Sequence, residues 1–103
     1  MNTYPELLVY AAHYDPKEPE IIDKVKAIYH YHPEDRVNTT RELTKYQLIE
    51  KIQKGADIKT GIKVDGIYKV DHEIYVITIY GMPYIKIHKD PETKDDLGKL
   101  ESY

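Results

Sequence analysis

The stretch HEIYVITIYGMPYIKIHK, His72 to Lys89, consists of two apolar, tyrosine-rich runs joined by a tight turn. In the first run Ile74, Val76, Thr78 and Tyr80 alternate with Tyr75, Ile77 and Ile79, and β-branched and aromatic residues at period two pack well on a pleated surface. Both faces are apolar, which places this strand at the centre of a sheet. Gly81-Met82 ahead of Pro83 suits a type II′ hairpin turn, with glycine as the first of its two residues. In the return strand Ile85 and Ile87 point one way and Tyr84, Lys86 and His88 the other, a pattern of one buried and one wet face. Pro83 offers no N–H to a ladder and belongs at a strand start or an edge.

Composition sets the bounds around this hairpin. A chain of 103 residues has room for a single domain spanning 1–103 and one core. The absence of cysteine excludes disulfides, thiolate zinc sites and a cysteine nucleophile, and it suits a cytoplasmic chain. Leu7 to Ala12 is too short, and too poor in preceding basic residues, for a signal peptide, and no apolar run is long enough to span a bilayer. Thirteen Ile, thirteen Lys and eleven Tyr beside two Asn, two Gln and no Phe or Trp give a thermophile-like balance, which an AT-rich genome would produce equally well. Tyrosine must then supply all the aromatic bulk, so several rings should lie at the core margin with the hydroxyl in water. Charge is uneven: residues 1–35 carry three basic and seven acidic groups, 36–89 ten and six, and 90–103 two and five. The middle segment is therefore locally basic.

Along the chain, Tyr4 to Tyr14 is a first strand and Ile21 to His32 its antiparallel partner, with Asp15-Pro16 turning between them. The loop from Pro33 to Thr40 is polar and is expected to be the most mobile internal segment. Thr44 and Gln47 match a capping box, with Leu43 and Leu48 placed as a hydrophobic staple; Thr39 to Glu42 is a rival box one turn earlier. The helix then runs to Lys54, ends at Gly55, and buries Leu48, Ile49 and Ile52 against the sheet. Ala56 to Val70 is either one broken strand or two strands joined by Asp65-Gly66. The acidic tail, residues 91–103, carries Leu97 and Leu100 at the spacing of one helical turn.

Little of this supports catalysis. The single serine is Ser102 and cysteine is absent, which argues against Ser- or Cys-based nucleophiles, and Gly61 to Gly66 is followed by Ile67-Tyr68 where a phosphate loop needs Lys-Ser/Thr. His30 and His32 would share a strand face near Glu34 and Asp35 and could hold a metal, against the plainer reading of two exposed histidines. His13 with Asp15, and His88 with Asp90, could be acid–base pairs, although aspartate before proline more simply caps its own turn. Tyr84, Lys86 and His88 could join Lys59, Lys63 and Lys69 as an interaction surface, since aromatics among lysines on a sheet can meet single-stranded nucleic acid. The plain alternative is a solvated face with lysine stems over tyrosine rings.

From Thr40 onward the order of features resembles a family of small bacterial and archaeal domains of unknown function. The resembling features are the helix Leu43 to Ile52 with Lys54-Gly55, then Ile58-Lys59-Thr60, Tyr75 to Thr78 with Gly81, Tyr84 to Ile87, and Thr93 to Leu100. The family's closing element tends to be Thr-x-x-Asn-Leu-x-x-Leu-Pro; Asp96 here stands for the asparagine and Glu101 for the proline. The resemblance implies a fold and no activity. The Ile/Lys/Tyr-rich, cysteine-free style is also similar to that of small proteins from viruses of hyperthermophilic archaea.

These readings converge on an α+β domain with an antiparallel sheet of four or five strands, ordered β-β-α-β-β-β, and one helix on a face. The expected function is a non-enzymatic protein-interaction module, with a protein or peptide partner at an edge strand (Tyr4 to Tyr14 or Tyr84 to His88) and self-association as a homodimer. A weak single-strand nucleic-acid binder is the alternative, and a small metal-dependent enzyme at His30 and His32 the third. No cofactor and no membrane partner are expected.

Overall fold

The structure, a computed structural model, describes residues 4–32, 34 and 39–103. Among the described residues it is an α+β fold with one helix and more strands than the sequence suggests. Strand β1 (Leu7–Tyr14) is the centre, not the 72–89 hairpin. It pairs antiparallel with β2 (Ile22–Tyr29) on one side and parallel with β4 (Ile58–Val64) on the other. β3 (Thr39–Thr44) extends the sheet beyond β2, and β5 (Ile67–Glu73) extends it beyond β4, giving the order β3-β2-β1-β4-β5. The sheet is therefore mixed. β4 follows the helix as a crossover and so arrives parallel to β1.

β3 lies where a loop and a rival helix cap were expected. Its sequence, TTRELT, is polar because only Leu43 reaches the core. Positions 33 and 35–38, most of the segment expected to be mobile, lie outside the described residues. Helix α1 (Lys45–Gln53) has the expected boundaries. Thr44 Oγ1 accepts from Gln47 N at 3.2 Å and Gln47 Oε1 accepts from Thr44 N at 2.9 Å, while Gly55 at φ +91° ends the helix.

The main core lies between α1 and one sheet face: Leu7, Val9, Val25 and Ala27 meet Leu48, Ile49, Ile58, Ile74, Ile85 and Leu97. A smaller cluster on the other face gathers Leu8, Ile28 and Tyr31 under Tyr10 and Tyr68. β1–β4 pairing stops at Val9↔Thr60, and the short β8 (Glu101–Ser102) takes the place beside Ala11 and Ala12. Gly61 lies where β4 leaves β1. Leu8 packs so closely there that an added Cβ would stand 2.6 Å from its Cγ.

β6 (Tyr75–Ile79) and β7 (Met82–Lys86) form a separate two-stranded sheet. Ile79↔Met82 is the last pair, so the turn is Tyr80-Gly81, one residue earlier than the glycine-first reading. Both residues have positive φ, +50° and +78°, as a type I′ turn requires. Asp65-Gly66 makes the same turn at +53° and +81°, so the two-strand reading of 56–70 holds.

The tail forms no helical turn. The Asp95 side chain is fully enclosed and its carboxylate joins three elements. Oδ2 accepts from Ile22 N at 2.7 Å and from Lys45 Nζ at 2.8 Å, and Oδ1 accepts from Ile85 N at 2.8 Å. One side chain thus ties β2, α1 and β7 together. Among the described residues no helix is long and apolar enough to cross a membrane.

Candidate functional site

The expected surface does not form as one face. Tyr84 and Lys86 are buried, Lys86 completely, because residues 88–96 fold back over β7. Lys86 Nζ is held by Asp90 and by the carbonyl of Glu92, which draws the Asp90 carboxyl below its usual range. The ring of Tyr84 has two ammonium groups near it, Lys45 at 5.2 Å and Lys86 at 6.0 Å from its centroid, and is a packing element of the interior. His88 is exposed with its ring 5.5 Å from His72. Lys59 bonds Asp57; Lys63 lies 5.5 Å over the Tyr68 ring, and Lys69, opposite Ile62, belongs to the other face of the β4–β5 hairpin.

Tyrosines and lysines do meet on the sheet face opposite the helix, in a different set. Tyr10 and Tyr68 stack 5.4 Å apart, Tyr68 N donates to the Tyr31 hydroxyl, and Lys26 lies 4.4 Å over Tyr103. Burial raises the Tyr10 and Tyr68 phenols. Tyr103 rises furthest, through burial and the bond its hydroxyl donates to Glu42 at 3.0 Å. Lysine over ring is the arrangement of the plain reading.

His30 and His32 do not share a strand face. β2 ends at Tyr29; His30 turns the chain at φ +49°, while the His32 ring packs 5.4 Å from Tyr4 and its Nδ1 accepts from Glu34 N. Among the described residues no group of three His, Cys, Asp or Glu side chains could hold a metal. His13 pairs with Asp23 at 2.7 Å, not with Asp15, and Asp15 and Asp90 each accept an N–H two residues on, so both aspartates cap their own turns.

What remains is a question of edges, and the two strands expected to be edges are both covered. β1 is central. β7 is lined by residues 95–96, with Ile87 N donating to Asp96 O at 3.0 Å and Asp96 N to Ile85 O at 2.9 Å. Of the true edges, β3 carries Arg41 and Glu42, and β5 has a bulge that sets Asp71 and His72 opposite Thr60, whose hydroxyl bonds both the N–H and the C=O of His72. Charges and bulges are the usual protection of an edge.

β6 has neither. Its sequence, YVITI, has no charge, proline or bulge, and among the described residues β7 is its only partner strand. Since the two-residue turn makes Ile79–Met82 a hydrogen-bonded pair, alternation directs the N–H and C=O groups of Val76 and Thr78 outward. The bonds that Ile85, opposite Val76, makes with 95–96 on its own outer side agree with this alternation. A groove of about 550 Å³ runs beside the strand, lined by Ile52, Gln53, Ile74 and Val76, and at the tip Tyr80 is 96% exposed with Met82 beside it. The periodicity of 74–80 was visible in the sequence; that the strand has a partner on one side only was not.

Comparison with known proteins adds no constraint: no family model matches the chain, nor does any characterised protein or solved structure.

Proposed function

We propose that the chain is a non-enzymatic protein-interaction module that self-associates by adding a second copy's β6 to its own. The observation that carries this is the uncharged edge of β6, which pairs with no strand but β7 among the described residues and runs beside a groove lined in part by Ile52, Ile74 and Val76. An antiparallel pair of β6 strands related by a two-fold axis at Ile77 sets Val76 opposite Thr78 of the second copy, and the reverse. Each such pair exchanges two N–H···O=C bonds, four in all, and the two hairpins become one four-stranded sheet. The charged groups nearest the strand, Glu73 and Lys89, lie at its start, away from that axis, so like charges do not meet. Four backbone hydrogen bonds along a five-residue edge make a small interface, so the dimer should dissociate on dilution.

Sedimentation equilibrium across a concentration series tests this. The wild type should move from 12.1 kDa toward twice that mass. Ile77→Lys and Ile77→Glu, which set like charges opposite each other at the axis, should each stay monomeric, and a mixture of the two should recover the dimer. A wild type that stays monomeric at millimolar concentration, or single variants that dimerise as well as wild type, would refute the proposal.

A further inference from the structure

A second cleft, of about 970 Å³, lies between α1 and the edge strand β3 and shares no lining residue with the β6 groove. Its walls include Tyr29 from β2, Arg41 and Leu43 from β3, and Gln47 and Lys51 from the helix. The charges there are unevenly matched. Glu50 is bonded to Lys54 at 2.8 Å, and Glu42 is engaged by Lys24 at 3.7 Å and by the Tyr103 hydroxyl at 3.0 Å. Both carboxylates of the cleft are therefore committed. Arg41 and Lys51 have no carboxylate within 4.0 Å among the described residues, yet both converge on one ring, 6.0 and 5.9 Å from the Tyr29 centroid.

Two cations from different elements, each without a carboxylate partner among the described residues and each within about 6 Å of the same ring, make a donor-rich lining. We propose that this cleft binds a phosphorylated small molecule, with the phosphate between the Arg41 guanidinium and the Lys51 ammonium. The planar guanidinium can give a phosphate two parallel N–H···O bonds, while lysine adds a point charge. Gln47 spends its side-chain oxygen on the helix cap, which leaves its amide N–H groups as further donors. The volume falls in the range of small-molecule sites, ~300–1,000 Å³, and leaves room for a body of nucleoside size beyond the phosphate. The excess of basic over acidic groups across residues 36–89 acts in the same direction.

The test is an NMR titration of the full-length ¹⁵N-labelled chain with adenosine diphosphate, and separately with pyrophosphate, at constant ionic strength. Saturable shifts at Tyr29, Arg41 and Lys51 are expected with at least one probe. Arg41→Gln and Lys51→Gln should each weaken binding roughly tenfold, the loss of one charge-assisted contact. Their thermal midpoints should stay at the wild-type value, since neither side chain is in the core. Lys69→Gln removes an exposed cation of β5 that does not line the cleft and should weaken binding much less. Tighter binding of adenosine diphosphate than of pyrophosphate assigns the rest of the cleft to a nucleoside; equal affinity assigns the phosphates alone. Absence of saturable shifts with both probes, or equal losses in the Arg41, Lys51 and Lys69 variants, would overturn the proposal.

Discussion

Replacing Asp95 with asparagine keeps the side chain's shape and reverses the hydrogen-bonding character of one of its two ends. The carboxylate has no exposed surface, and its partner Lys45 is 8% exposed. Oδ2 accepts from both Ile22 N and Lys45 Nζ and Oδ1 from Ile85 N, so whichever way the amide is turned its nitrogen faces at least one of these donors. The ammonium would be left buried without its counter-charge, a loss that costs about 3–5 kcal/mol. Against a total stability of ~5–15 kcal/mol for a domain, that is a large fraction, so the urea midpoint of Asp95→Asn should fall steeply at unchanged slope. Lys45→Met is the informative comparison. It leaves the carboxylate with two backbone donors at 2.7 and 2.8 Å, so its cost should be the smaller of the two. An Asp95→Asn protein within about 1 kcal/mol of wild type, or a Lys45→Met protein less stable than Asp95→Asn, would refute the role of Asp95 as the junction of β2, α1 and β7.

Three further outcomes follow from the geometry. Gly61→Ala forces a methyl against the Leu8 side chain and should cost about 1–3 kcal/mol, much of it recovered in a Leu8→Ala background, as a double-mutant cycle by denaturation would show. At high pH, the raised phenols of Tyr10, Tyr14, Tyr68 and Tyr103 favour the neutral form in the fold. Their contribution is complete below the ordinary tyrosine value of about 10 and is lost as the pH rises through the raised values, so the part of the tyrosinate absorbance that belongs to these four rings should appear together with unfolding. At low pH the lowered Asp90 carboxyl works in the opposite sense: its contribution is present above the ordinary carboxylate range and is lost as the pH falls through the lowered value, an effect that Asp90→Asn should remove from the acid-unfolding curve.

How far the sequence carried depended on the range of the interactions involved. The helix start was legible because Thr44, Gln47, Leu43 and Leu48 act within one turn, and Asp65-Gly66 because a type I′ turn depends on its own two residues. The β1–β2 pair was legible from alternation. β3 was missed because an edge strand with one buried residue shows no apolar period. The 80–81 turn was displaced by one residue because Tyr80 adopts a positive φ that a β-prone aromatic rarely takes. The largest error, the wet face of Tyr84 and Lys86, has a cause that alternation does not carry. Lys86 is buried only because Asp90 and the Glu92 carbonyl fold over it, and period-two polarity cannot distinguish a solvated lysine from one paired inside. For the candidate site the cause is long-range, since residues 95–102, far from β6 in sequence, line β7 and β1 and leave β6 without a second strand.

Backbone hydrogen exchange of β6 as a function of protein concentration tests the free-edge reading most directly. In dilute solution the Val76 and Thr78 amides, which face outward, should exchange far faster than those of Ile77 and Ile79, which bond to β7. As the concentration rises through the dimerisation range, protection should appear at Val76 and Thr78 while Ile77 and Ile79 change little. Slow exchange at Val76 and Thr78 in the dilute monomer, or a dimer that forms while both remain unprotected, would contradict strand addition at β6.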